Sequence, residues 1–430
     1  MIQSLIDFFS FSDPNVRYVV FGNVLLSASA AMVGAFILLQ KKALVGDAVS
    51  HAVLPGICAA FLFSGSKNTA FMLVGAFITG WLALIAIDYI TAKSKIKKDA
   101  AIGLVLSVFF GAGMVMMTFI QQSGNAAQSG LDHFIFGKAA TLIGADLIIF
   151  STLAAVLLIV VGLFFKAFTL VAFDRPYAQA LGYPVRKLDL LLTSLTVLAV
   201  VTGITAVGVV LMAAMLITPA AAARYWTDNI RRMVGIAVAF GVFAGLTGAY
   251  ISYTAPSMPT GPWMVVVSSA IAFFSFFFAP RKGIIPKRYT QYRNQRIIAE
   301  ENTLKMFYHL GERNGHFNDM RQHNELTSTR EVDAALLGAS LKRLVSKKLL
   351  VSRGNQWGLT NEGQRKAARV VRLHRLWELY LTNYMHIAAD HVHDDAETIE
   401  HIITPELERE LEHQLGYPER DPHDTEIPKI

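Results

Sequence analysis

The sequence predicts an all-α polytopic membrane protein of about nine transmembrane helices. A soluble winged-helix domain and a further helical region are expected to follow it. Three observations predict this: charge is partitioned along the chain, long apolar runs recur, and the last 150 residues change character. Residues 1–280 hold 16 Lys/Arg and 10 Asp/Glu, and all of those acids are Asp. The first glutamate is Glu300, and residues 281–430 hold 23 Lys/Arg and 22 Asp/Glu. Only two of the 12 histidines, His51 and His133, precede residue 281. Desolvating an ion costs several kcal/mol, so an apolar medium excludes charge. The first segment therefore belongs in lipid and the second in water.

In chain order, a short amphipathic start (Ile2, Leu5, Ile6, Phe8, Phe9) suits the interface. Apolar spans follow near 18–39, 45–64, 69–91, 101–120, 142–165, 188–205, 206–223, 233–253 and 262–280. Each approaches the ~20 residues a helix needs to cross a bilayer core. The sixth and seventh abut at Gly203–Gly208 and read as a broken helix or a tight hairpin. Lys/Arg cluster at 41–42, 93–98, 175–187, 224–232 and 281–282, and loops 65–68, 121–140 and 254–261 carry little positive charge. That alternation places the N-terminus outside and the tail in the cytosol. The division becomes 1–16 interfacial, 17–282 membrane domain, 283–298 basic linker, 299–370 winged helix and 371–430 helical region.

The net charge of +7 arises mostly in the membrane segment, so it reads as an orientation signal and not as nucleic-acid affinity. One cysteine, Cys58, excludes an intramolecular disulfide and a Cys-based zinc or iron–sulfur site. The first 16 residues carry no Lys or Arg, so no cleavable signal peptide is expected. No tandem repeat of 20–50 residues is visible.

The sharpest membrane motif is GDAVSHAVLPG, residues 46–56. Asp47 and His51 are four apart and share one helix face. An ionisable residue inside a membrane is costly and defaults to a functional hypothesis. A carboxylate and an imidazole on one face offer oxygen and nitrogen ligands to a divalent transition metal. Pro55 and Gly56 then weaken the helix, as suits a pathway. The competing reading sets Asp47 at the interface beside Lys42 and has His51 bond a neighbouring helix. Cys58 follows His51 by about two turns, roughly 10 Å, too far to share an ion with both. It reads as packing, and Asp132 and His133 read as a solvated pair in an outer loop.

The loop FDRPYAQALGYP, residues 173–184, predicts a short amphipathic helix from Arg175 to Leu181 ended by Gly182. It suits either a partner's groove or an ordinary connector. Residues 208–224, GVVLMAAMLITPAAAAR, are rich in small residues that permit close helix packing.

Together these three motifs, in order over about 17–280, resemble the permease subunits of manganese, zinc and iron ABC importers. The resemblance implies an importer assembled with a cytosolic ATPase, an extracytoplasmic metal-binding protein and a second copy or a related permease. It implies that Asp47 and His51 meet the metal in passage, and that Ala178 and Gly182 contact the ATPase. The chain has no phosphate-binding G-x-x-x-x-G-K-[ST] of its own, so an ATPase partner is required.

In the tail, residues 300–315 read as a helix and Leu326–Leu349 as a helix–turn–helix with Lys342 and Arg343 on its second helix. A strand and a wing at 351–359 complete a winged helix. Lys342 and Arg343 are candidate DNA-phosphate contacts, against a winged helix used only for protein contact. His374 and Glu378 share one helix face, and Glu397, Glu400 and His401 share another, with His393 just before it. Two such faces packed together offer N and O ligands to a divalent cation, and exposed charged helices are the plainer alternative.

LTNEGQRKA (359–367), HRLWELYL (374–381), VHDDAETIEH (392–401) and the closing GYPERDPH (416–423) resemble iron- or manganese-dependent repressors of the diphtheria-toxin-repressor class. The resemblance covers about 300–428, implies a winged helix followed by a helical metal-binding and dimerisation region at 371–430, and implies His374, Glu378, His393, Glu397, Glu400 and His401 as metal ligands. It departs at Asn302 and Lys305, where relatives carry acidic or sulfur ligands, and a cation there opposes a second metal.

The expected function is the non-enzymatic permease of a divalent-metal importer (Mn, Fe or Zn; no organic cofactor) in a bacterial plasma membrane, with a cytosolic metal-sensing tail. A membrane-tethered, metal-dependent DNA-binding regulator is the alternative, and a channel or proton-coupled carrier a third.

Overall fold

The computed structural model describes residues 2–65, 68–122, 137, 144–255, 258–329, 333–386 and 403–429. It divides into two compact units, Met1–Lys287 and Arg288–Ile430.

The first unit opens with α1 (Ile2–Ser10), whose Phe8 is buried edge-on against Tyr250, with centroids 5.3 Å apart. Helix α2 (Pro14–Leu39) begins where the Asp13 carboxylate accepts the Asn15 N–H at 2.8 Å. Pro14 fills the first helical position, where no N–H is needed. Then come α3 (Ala43–Ala52) and α4 (Leu54–Ser64), together one apolar stretch of 22 residues interrupted at Val53. Pro55 lacks an N–H and cannot bond back to the His51 carbonyl, which is why the helix breaks there.

Helices α5 (Thr69–Lys93), α6 (Lys98–Gln122) and α7 (Gly144–Leu163) follow. The segment expected as a single span at 142–165 instead bends by 65° from α7 into α8 (Phe165–Phe173). A short α9 (Arg175–Ala180) precedes α10 (Val185–Val207), α11 (Val209–Arg224), α12 (Ile230–Thr254) and α13 (Thr260–Phe278). The abutting pair at 188–223 is two helices, separated by Gly208 at φ 94°, ψ 161°, a backbone only glycine adopts readily.

Among the described residues, seven spans are long and apolar enough to cross a bilayer, or eight counting α7–α8 as one bent span. That is roughly consistent with the expected count of about nine. The segment at 206–223 is helical, but α11 has 16 residues and reaches only ~24 Å at ~1.5 Å per residue.

The second unit starts within α14 (Ile284–Asn314), one continuous helix of 31 residues, so the segment expected as a linker is helical from Ile284. A winged helix follows: β1 (Arg321–Gln322), α15 (His323–Thr329), α16 (Ala334–Ser346), β2 (Leu350–Arg353) and β3 (Gln356–Leu359). The antiparallel sheet runs β1-β3-β2, and Gly354 at φ +61° turns the β2–β3 hairpin. Leu304, Phe307, Leu326, Leu337, Leu341 and Leu344 form its core. Helix α17 (Asn361–Met385) carries the Thr360 cap, whose Oγ1 accepts the Gly363 N–H at 2.9 Å. Helix α18 (Pro405–Gln414) lies against it through Leu373 and Leu411 and through Arg369–Glu408, at 2.8 Å.

Candidate functional site

Two glycines of the 46–56 motif fix where α3 and α4 lie. A Cβ on Gly46 would meet Leu216 Cδ2 on α11 at 2.8 Å. A Cβ on Gly56 would meet the Gly75 carbonyl oxygen on α5 at 2.1 Å. The helices thus approach almost backbone to backbone, and the first and third sequence motifs meet through Gly46 and Leu216.

On α3 the His51 Nε2 stands 3.6 Å from Asp47 Oδ1, so the pair shares a face as the spacing predicted. The His51 side chain is 18% exposed and Asp47 44%. The imidazole packs edge-on against Phe110 at 4.9 Å, and its buried Nδ1 has no hydrogen-bond partner among the described residues. Lys42 turns to Asp189 at 3.6 Å, not to Asp47. Cys58 is fully buried, its thiol directed at the Gly113 carbonyl at 3.8 Å, which agrees with a packing role. Asp132 and His133 lie outside the described residues.

Helix α9 of the 173–184 loop starts at Asp174, whose carboxylate accepts the Tyr177 N–H at 2.9 Å, and ends before Gly182 at φ +82°. Ala178 is fully buried beneath it, and Gly182 is exposed. The outward surface consists of Tyr177, Leu181 and Tyr183 around Gly182. Sequence reasoning missed Asp189 on α10. It takes the Arg175 guanidinium at 2.9 Å and Lys42 at 3.6 Å, joining the α9 loop to the turn that leads into α3.

In the tail, His374 Nε2 lies 3.0 Å from Glu378 Oε1, both side chains almost fully buried. His393, Glu397, Glu400 and His401 fall in 387–402, outside the described residues. Among the described residues, no group of three or more His, Cys, Asp or Glu side chains is placed to hold an ion. Lys305 is buried, and Asn302 has a buried side-chain oxygen with no hydrogen-bond partner among the described residues. Of the two residues read as phosphate contacts, Lys342 is exposed, whereas Arg343 turns inward and donates to Glu300 at 2.9 Å. Lys347 meets the other Glu300 oxygen at 2.5 Å.

A bundle of spanning helices with one helix broken beside a carboxylate–imidazole pair, and a short surface helix between spans, defines a membrane permease. The chain belongs to the ABC 3 transport family, whose model matches residues 12–279. Residues 360–429 match the iron dependent repressor, metal binding and dimerisation domain. The manganese transport system membrane protein MntC of Bacillus subtilis is 41% identical over 376 residues, covering 87% of this chain and 86% of its own. The zinc transport system membrane protein TroC of Treponema pallidum is 39% identical, covering 67% and 95%. Among solved structures, PsaBC from Streptococcus pneumoniae in complex with Fab matches with TM-score 0.59 and 31% identity, over 67% of this chain and 99% of that one.

Proposed function

We propose that this chain is the transmembrane permease subunit of an ATP-driven importer of a divalent transition metal (Mn, Zn or Fe) in a bacterial plasma membrane. The observation that carries the reading is the Asp47–His51 pair at 3.6 Å on the broken second span of a family member. A carboxylate oxygen and an imidazole nitrogen suit such an ion as cargo, and the Irving–Williams order leaves the metal to geometry and supply. The relatives are named for manganese and for zinc transport, which agrees.

In this reading an extracytoplasmic metal-binding protein delivers the ion to a pair of permeases, two copies or related chains. A cytosolic ATPase docks on the surface around Gly182, over the buried Ala178. Its nucleotide cycle moves α9, and the permease alternates between outward and inward access. Asp47 and His51 bind the ion in transit. The tail lies in the cytosol and senses the imported ion through His374 and Glu378, joined by His393, Glu397, Glu400 and His401. Feedback requires that the ion bind two transporter states unequally. The family match over 12–279 favours transport over a membrane-tethered DNA-binding regulator.

The deciding experiment is metal uptake by the assembled transporter in proteoliposomes, with competing ions and with ATP withheld. Asp47→Asn combined with His51→Ala should abolish uptake while the complex still assembles. Undiminished uptake by that variant would refute the ligand role, and uptake without ATP would indicate a channel or carrier.

A further inference from the structure

Between Arg281 and Ala299 the sequence carries six Lys/Arg and no acid. A short basic patch at a span exit is ordinary orientation signal. Here the cations continue along α14, well beyond the exit. Arg288, Tyr289, Tyr292, Arg293 and Arg296 fall within an arc of about 140° at 3.6 residues per turn. All five are exposed, Tyr289 by 70% and Tyr292 by 54%. The other side of this stretch carries Thr290, Gln291 and Asn294, with Gln295 at the edge of the face, all uncharged. A solvated helix ordinarily spaces acids three or four residues from its cations; the first acid here, Glu300, four residues past Arg296, is buried and already taken by Arg343 and Lys347. The Arg296 guanidinium lies over the Tyr292 ring, 4.0 Å from its centroid. Cation and aromatic are thereby held side by side on one surface.

We propose that this face of α14 is a binding surface for the anionic phospholipid headgroups of the leaflet on its own side of the membrane. Charge complementarity points to phosphate-bearing anions, and exposed tyrosines suit the headgroup layer. The tether selects lipid over other polyanions. The last span ends at Phe278, ten residues before Arg288, so the near end of the face cannot stray more than about 35 Å from the end of that span, and its far end at Arg296 lies only about 12 Å further along the helix. Duplex DNA must diffuse to the same cations, whereas the membrane is always within reach. The proposal rests on the cytosolic exit of the chain only for which leaflet is bound.

The test uses the full chain in nanodiscs of phosphatidylcholine, or of a phosphatidylcholine–phosphatidylglycerol mixture. Fluorophores go on Gln295→Cys, at the edge of the face, and on Asn294→Cys, opposite it. Cys58 is buried and leaves the label site-specific. Headgroup-spin-labelled lipid should quench the first label more than the second, and only in the anionic discs. Arg288→Gln/Arg293→Gln/Arg296→Gln should lower the docking equilibrium on the order of 100-fold, from about fivefold per cation. Equal quenching in both discs, or quenching indifferent to the triple substitution, would overturn the proposal. So would protection of Gln295→Cys by a short DNA duplex with no response to phosphatidylglycerol. Labelling of Gln295→Cys from each side of sealed vesicles reads the leaflet separately.

Discussion

Gly34 on α2 lies so close to Leu216 on α11 that a Cβ there would stand 1.7 Å from the Leu216 carbonyl oxygen. The obstacle is backbone, which has no rotamer to yield. Gly34→Ala should therefore force the two helices apart and cost about 3 kcal/mol or more, at the upper end of overpacking penalties. Gly103 and Gly235 sit in helices with nothing within 4 Å of a built Cβ. Alanine there should be neutral or stabilising, because it raises helix propensity. Thermal unfolding of the purified variants in detergent checks the contrast, and equal losses at all three positions would contradict it.

Asp189 is the one described group that takes both Arg175 of α9 and Lys42 before α3. If α9 moves as proposed, this carboxylate would carry the displacement to the start of the Asp47 helix. Asp189→Asn keeps the size and removes the charge. It should lower ATP-driven uptake several-fold while the ATPase still binds, because the proposed docking surface lies around Gly182. Unchanged uptake at normal assembly would reject the link, and lost assembly would show that Asp189 shapes the docking surface itself.

The membrane unit was largely legible in the sequence because lipid penalises charge so heavily that the spans stand out. The bend between α7 and α8 was not, since residues 163–173 contain neither Pro nor Gly and only Gly162 precedes them. That the linker is helical was not legible for a related reason. Residues 287–298 are polar, yet they contain no helix breaker after Pro286 and continue the helix. The Asp47–His51 pair was visible because four residues is a local spacing. Asp189 and Glu300 were missed as linchpins because their partners lie far off in sequence, as with Glu300 and Arg343, 43 positions apart.

Glu300 is buried and receives both Arg343 and Lys347, so truncating Arg343 leaves a buried carboxylate with one cation. Arg343→Ala should destabilise the winged helix by about 1–3 kcal/mol, less than a fully buried pair because both cations are partly exposed. Lys342→Ala, at an exposed position, should leave stability within about 0.5 kcal/mol. If the tail binds DNA, Lys342→Ala reduces affinity and its salt slope without touching the fold. Urea unfolding of a 288–430 fragment beside DNA titration separates the two effects. A loss of stability at Lys342 equal to that at Arg343 would contradict the assignment.

His309 on α14 is held neutral. Burial, then the Lys305 and Arg375 cations, push its pKa from 6.5 down to about 4, against the pull of Glu312 at 3.6 Å. Between those two values the unfolded chain binds a proton that the folded chain refuses. The folded state therefore loses stability as pH falls from about 6.5 to about 4, and loses no more from this group below that. The side chain is about one-third exposed, so the total loss should be about 1–3 kcal/mol. His309→Gln should flatten this part of the profile in urea unfolding of the fragment at pH 7, 5 and 4. A slope unchanged by the substitution would assign the acid sensitivity elsewhere.

Glu378 tests the tail as a metal sensor with the least damage to packing. Its carboxylate lies 3.0 Å from His374 Nε2 in an almost fully buried pair, so Glu378→Gln preserves volume and removes one anionic oxygen. His374→Ala would open a cavity as well as delete a ligand, and its effects would be mixed. If these residues hold an ion, Glu378→Gln should weaken Mn(II) or Zn(II) binding to the fragment by more than about tenfold, the scale seen when groups supporting a metal site are lost. The binding isotherm should also report one ion per chain, because the Lys305 cation sits buried one turn from Asn302 and repels a second. Lys305→Glu reverses that charge and should raise the stoichiometry toward two. A Glu378→Gln isotherm identical to the parent's would remove the pair from the site, and two ions bound with Lys305 in place would show that the lysine does not exclude the second.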